Sequence, residues 1–284
     1  MTRWNELRAL VGSLDLGEPG SARRPPRDDV RTLQNALGAS LADEDFCLEV
    51  MELELDASLG AEKRPGGPVS APPFHEIRGR GIFFRLFYWP PGKEAPPHEH
   101  TSWTVTAVFH NTLTVTTYDW ETAVREQRLA ERNTFSAERG RAGHIYDDSI
   151  HRPSNPTDRL AASIHIFNSN DGPVLRDRVG PIEGLADDMG SMRWPGDADA
   201  FARATGGWRQ RLLLMHADML AGFRSPRALA LLERIWRLGD PLVKFVVAMI
   251  MKRIDAARGQ TLLRDLYEIA PEFAARETLV TLRA

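Results

Sequence analysis

The stretch IFFRLFYWPPGKEAPPHEHTSWTVTAVFHNTLTVTTYDW, residues 82–120, decides the fold class. Its runs IFFRLFYW, TVTAVF and TLTVTTYDW are short and rich in Thr, Val, Ile and aromatic residues. Such side chains suit a pleated, half-buried surface. The runs are separated by PPG and HN, where Pro presets φ and Gly or Asn accepts a positive φ. A further run, LAASIHIF at 160–167, follows the turn signal NPTD. Several short strands at close spacing with polar turns predict a sandwich or a barrel.

Outside this region the period changes. Trp4, Leu7, Leu10 and Val11 follow helical spacing, and Val30, Leu33 and Leu37 do so again after the break GEPGSARRPP. GAEKRPGGPVSAPP at 60–73 reads as a loop ahead of the strands. Near the other end, Ser225 is an N-cap with Pro226 at the first helical position, Gly239 is a stop, and Asp240 with Pro241 repeats the start. The chain therefore divides into a helical segment and linker at 1–73, a barrel at 74–190 and a helical region at 191–284. No strict repeat period supports a solenoid.

Composition narrows the function classes. Net charge is −3, from 36 basic and 39 acidic residues, so no global basic field recruits nucleic acid or an anionic membrane. The single cysteine, Cys47, excludes an internal disulfide framework and a cysteine-based zinc cluster, and between Phe46 and Leu48 it reads as a small buried apolar residue. The first residues carry Glu6 and Arg8 within their apolar run, unlike a signal peptide, and a cytoplasmic location is expected.

The chemistry concentrates in PPHEHTSW at 96–103. Residues two apart on a strand point to the same side, so His98 and His100 project together and Glu99 faces away. Two imidazoles on one rigid strand chelate a metal at little ordering cost. A third ligand must come from another strand, and GHIYDDSIHRPSN supplies two candidates, His144 and His151. Further on, Ser163, His165 and Phe167 share one strand face. Trp103 and Tyr146 are candidate pocket aromatics.

These two segments resemble the metal-binding motifs of the thiol dioxygenases of the cupin superfamily, the cysteine dioxygenase family in particular. The HEHT start at 98–101, the following strand pair and the closing Tyr118, Asp119 and Trp120 are similar to the family's first motif. DSIHRPSN followed by AASIHIF is similar to its second. The resemblance covers about 74–168 and implies a mainly β cupin barrel (a double-stranded β-helix, or jelly roll) with N-terminal helices and an α-helical C-terminal extension. It implies Fe(II) held by His98, His100 and His151. The stretch TSWTVT after the histidine pair has no carboxylate, as in the three-histidine members. Ser163 and His165 match the family's catalytic Ser–His pair. Phe167 stands where the family has a tyrosine, and Thr104 where some members carry a crosslinked cysteine. The family's substrate-binding arginine is matched nearest by Arg78, then Arg80, with Arg85 in phase with neither.

The resemblance implies an iron-dependent dioxygenase that adds O₂ to the sulfur of a small thiol. The alternatives are an O₂-dependent iron oxygenase acting on another small metabolite, and a non-catalytic metal-binding cupin. The expected partners are the small-molecule substrate and O₂. The C-terminal helices are expected either to lid the barrel or to form a homodimer contact.

Overall fold

The run Ile82–Trp89 forms strand β2, flanked by β1 (His75–Ile77). The structure is a computed structural model that describes residues 2–19, 24–61, 72–121, 128–145, 149–168, 173–174 and 207–274. β2 pairs along its whole length with β9 (Ala161–Asn168), from Ile82 opposite Asn168 to Trp89 opposite Ala161. β9 pairs in turn with β4 (Thr104–His110), and β4 with β7 (Ala142–Ile145), giving the sheet order β1-β2-β9-β4-β7. A second sheet holds β6 (Arg128–Glu138), β5 (Thr112–Glu121) and β8 (Ile150–Ser154) in that order. A short pair joins β3 (Glu99–His100) to β10 (Pro173–Val174). The two larger sheets line a common cavity, so the fold is a mainly β, cupin-type jelly-roll barrel with helices. Asn111 makes the tight β4–β5 turn at φ 58°, a conformation that asparagine tolerates better than most residues.

Strand parity sorts the side chains into two layers. Cross-strand partners share a face. Arg85, Phe87 and Trp89 therefore share one side of the sheet with His165, Ser163 and Ala161, and Thr106 and Val108 of β4 join the same rows. This side faces the cavity. The alternate residues Phe84 and Leu86 are fully buried on the other side, toward three N-terminal helices: α1 (Arg3–Ser13), α2 (Arg27–Ser40) and α3 (Glu44–Ala61). The Trp4 ring lies 5.0 Å from Phe84 and 5.2 Å from His75, and Trp4, Leu7 and Val11 are the buried stripe of α1. Cys47, on α3, is buried and its sulfur faces Leu41 O and the Arg139 guanidinium; burial pushes its thiol pKa up.

One asparagine fastens the barrel's connections. Asn155 is fully buried, and its amide donates to Trp89 O and Arg159 O, each at 2.7 Å. Its carbonyl oxygen accepts from the backbone and the hydroxyl of Thr157. Its own backbone pairs with the 92–93 turn: Asn155 N donates to Lys93 O, and Gly92 N donates to Asn155 O. The loop leaving β2 is thus stitched to the segment that follows β8.

The chain splits into two units, Met1–Gly196 and Asp197–Ala284. The second contains α4 (Trp208–Leu220), α5 (Pro226–Leu238), α6 (Pro241–Ile254) and α7 (Ala256–Ile269). Side-chain oxygens of Ser225, Asp240 and Asp255 accept from Ala228 N, Val243 N and Arg258 N, satisfying otherwise orphaned donors at the starts of α5, α6 and α7. α6 and α7 approach closely at Gly259, where a Cβ would stand 2.3 Å from the Lys252 backbone. Among the described residues no helix is long and apolar enough to cross a membrane.

Two outcomes are expected from these features. Asn155→Ala strands buried carbonyls and should lower unfolding free energy by about 2–4 kcal/mol, read from the urea midpoint. Half-buried His75 is held down at about 4 by desolvation and then by Arg8, against an ordinary 6.5. Between those two values the unfolded chain binds a proton that the folded chain refuses, so stability falls as pH is lowered through the window. His75→Gln should make the urea midpoint less sensitive to pH there, and an unchanged pH slope would contradict this.

Candidate metal centre

His98 and His151 are brought together by the backbone. Each donates its N–H to the other's carbonyl, both at 2.9 Å, as an isolated antiparallel bridge. His100 lies two residues on, in β3. The imidazole centroids are 4.3 Å apart for His98–His151, 5.2 Å for His100–His151 and 5.3 Å for His98–His100. One ring nitrogen from each lies within 4.8 Å of the others, and all three residues are buried.

The orientation of the rings fits a metal. His98 Nδ1 sits 2.9 Å from Pro96 O, and His151 Nδ1 sits 3.1 Å from Ser149 O. A carbonyl can only accept, so both Nδ1 atoms carry the hydrogen and both Nε2 lone pairs are left for a ligand. Supporting hydrogen bonds of this kind fix the tautomer and the ring plane of metal-ligating histidines. Burial, followed by the neighbouring His98 and His100, pushes the His151 pKa well below the ordinary value, so its ring is neutral and ready to coordinate. Three imidazole nitrogens suit a divalent transition metal and leave coordination positions open. No carboxylate joins the cluster among the described residues. Glu99 is buried in β3 between the two histidines in sequence.

Beside the cluster stands a hydrogen-bonded relay. Trp89 Nε1 donates to Ser163 Oγ at 2.9 Å. Ser163 Oγ is 2.9 Å from His165 Nε2, and Thr106 Oγ1 is 3.2 Å from the same nitrogen. Ser163 Oγ, which accepts from the indole, thus links Trp89 to His165 Nε2. Desolvation lowers the pKa of His165 to about 3, with His100, Arg85 and His98 adding to the effect. Trp89, Thr106, His151, Ser163 and His165 all line one cavity of about 360 Å³.

The sequence-predicted residues fall in different places. His98, His100 and His151 cluster, and Ser163 and His165 adjoin them. The other ligand candidate, His144, pairs with Val105 and turns to the helices, where its Nδ1 meets Gln34 Oε1 at 2.5 Å. Arg78 is exposed in the β1–β2 turn, away from the cavity lining. Arg80 donates to the carbonyls of Val11, Gly12 and Leu14 and ties down the end of α1. The guanidinium on the site's face is Arg85: it is opposite His165 in register, with its Cζ 4.7 Å from the Phe87 ring centroid. Trp103 is 2% exposed and donates to Leu16 O at 3.0 Å, so it fastens the N-terminal segment and does not line the cavity. Phe167 shares the face of His165 but packs on Phe83, with ring centroids 6.0 Å apart. Thr104 is buried and its hydroxyl donates to Ile166 O. Thr106 and Trp89 were not singled out, because cross-strand register with β9, and not alternation along one strand, brings them to this face.

No family profile and no curated protein matches the sequence. Solved structures do match. A sugar phosphate isomerase of the cupin superfamily from Silicibacter pomeroyi is 14% identical, with 34% of this chain and 58% of that chain covered and a TM-score of 0.27. Bacillus subtilis oxalate decarboxylase, described with Mn(II) centres, is 18% identical over 34% of this chain and 24% of its own, with a TM-score of 0.26. An oxalate oxidase in complex with the substrate analogue glycolate is 16% identical over 50% and 65%, with a TM-score of 0.28. The matched part is less than two thirds of each of these chains. Strand order and register, described above, carry the fold assignment.

Anaerobic titration with Fe(II) or Co(II) should give one equivalent bound. His98→Ala, His100→Ala and His151→Ala should each weaken binding by more than the roughly 10- to 100-fold that loss of a supporting residue costs. His144→Ala should leave it unchanged, and equal loss in that variant would contradict the ligand set.

Proposed function

We propose that the chain is an Fe(II)-dependent dioxygenase that adds both atoms of O₂ to the sulfur of a small-molecule thiol, giving a sulfinate. The observation that carries this reading is the buried cluster of three imidazoles, without a carboxylate among the described residues, adjoining the Ser163–His165 pair at the wall of a cavity. His98, His100 and His151 would hold the iron. When bound, ferrous iron supplies adjacent open positions for a thiolate and O₂, replacing a bimolecular encounter with an oriented one. A three-imidazole set adds no negative charge, so the ion would keep its full attraction for an anionic thiolate.

The remaining groups position and insulate. A histidine held at about 3 is a poor proton acceptor at neutral pH. His165 therefore acts as a neutral hydrogen-bonding group whose ring is held by Trp89 through Ser163. Thr106 restrains the same ring. Half-buried Arg85, lying over Phe87 and beside His165, is placed to meet a carboxylate on the substrate, since guanidinium binds carboxylate in a two-pronged fashion. The apolar cavity walls keep bulk water from the reacting sulfur.

Iron-loaded protein should consume O₂ with a thiol and yield a product heavier by the mass of O₂. Tight iron binding without uptake across a thiol panel would overturn the reading. Arg85→Ala should raise KM for a carboxylate-bearing thiol by roughly 10- to 150-fold, the loss expected for a charged hydrogen bond. Arg78→Ala should leave KM where it is.

A further inference from the structure

The cavity beside the metal cluster has two chemically different ends. On the β5–β6–β8 sheet, register places Thr117 beside His151, then Val115 between Pro153 and Phe135, then Leu113 beside Ala137. Except for the hydroxyl and imidazole of the first row, these cavity-lining side chains are apolar. On the facing sheet Thr106 and His165 form one row, and Val108 stands across from Ser163 in the next. Most polar groups thus gather at the metal end; beyond them the walls are largely aliphatic and aromatic, with His144 and exposed Arg141 on the β7 side.

Size and exposure point the same way. A cavity of about 150 Å³ is enough to hold benzene; this one is about 360 Å³. Phe135 lines it and is nonetheless 43% exposed, one of two large apolar side chains exposed among the described residues. An apolar ring left wet at a cavity wall gains when a ligand covers it.

We propose that this apolar compartment is a substrate subsite. The thiol taken by the site carries a hydrophobic body, alkyl or aryl and larger than a benzene ring, that lies against Val115 and is covered by Phe135. The sulfur-bearing head sits at the His151–Thr117 end. The assignment rests on the thiol reading above and names the class of thiol: one with an apolar body, whether or not it also bears a carboxylate for Arg85, in place of a free amino-acid thiol that would leave the compartment empty.

The test is calorimetric titration of protein loaded with redox-inert Zn(II), which separates binding from turnover. Ligands are the alkanethiols from ethanethiol to hexanethiol, 2-phenylethanethiol, cysteine, and the alcohols that match the alkanethiols. Affinity should rise by up to about fourfold per added methylene, the value of a fully buried CH₂. Phe135→Ser, at an exposed position that leaves folding intact, should flatten that rise. Ala137→Leu, which fills the compartment, should cut it off at shorter chains. Cysteine binding as tightly as hexanethiol, with no dependence on chain length, would overturn the subsite and leave thiol dioxygenation standing. A chain-length rise equally steep and tight for the alcohols would keep the subsite and remove the thiol reading.

Discussion

The two hydrogen bonds exchanged between the backbones of His98 and His151 are the constraint on which the site depends. They join segments more than fifty residues apart, so closing the loop between them costs chain entropy that the barrel must offset. The barrel does so by pairing β2, β9 and β4 over their lengths and by packing their helix-facing residues under α1 to α3. Asn155 then ties the loop after β2 to the same region. The imidazoles are held on rigid backbone, and the tether at Nδ1 of His98 and of His151 leaves each Nε2 lone pair for a ligand before any ion arrives. Preorganisation of this kind lowers the cost of binding.

The electrostatics of the site follow from the same packing. Burial and the neighbouring imidazoles disfavour protonation of His151, and His165 beside it is driven down to about 3. A cation bound there would be surrounded by neutral donors in a partly desolvated pocket, where its charge is poorly screened. Arg85 adds positive charge on the same face and lies within the electrostatic reach of the buried Glu54 on α3. Burial draws its pKa down while Glu54 opposes that shift. The helices that cover the sheet thus also influence a charge on its inner face.

Much of the barrel was legible in the sequence because its central strands are apolar and alternate. IFFRLFYW, TVTAVF, TLTVTTYDW and LAASIHIF correspond to β2, β4, β5 and β9. β6 was not legible: RLAERNTFSAE is polar at most positions, since it lies at the sheet's edge with residues 131–136 exposed. Only Phe135 and Ala137 betray its inner face. Tyr146, a possible pocket aromatic by sequence, lies outside the described residues. Arg85 was legible in principle as a charge within an apolar run, but its phase depends on where β2 begins.

By itself, the sequence determined the strand runs, the caps at Ser225 and Asp240, and the pairing of His98 with His100 on one face. These depend on local chemistry: side-chain branching, capping oxygens and the two-residue period of a strand. Only the tertiary structure decided which distant residues meet. It set His151 against His98 and turned His144 toward Gln34. It left Arg78 in an exposed turn, set Arg85 opposite His165 and sent Trp103 to the N-terminal segment. The reason is register: sliding a strand by one residue exchanges its two faces, and register is fixed by the packing of the whole barrel.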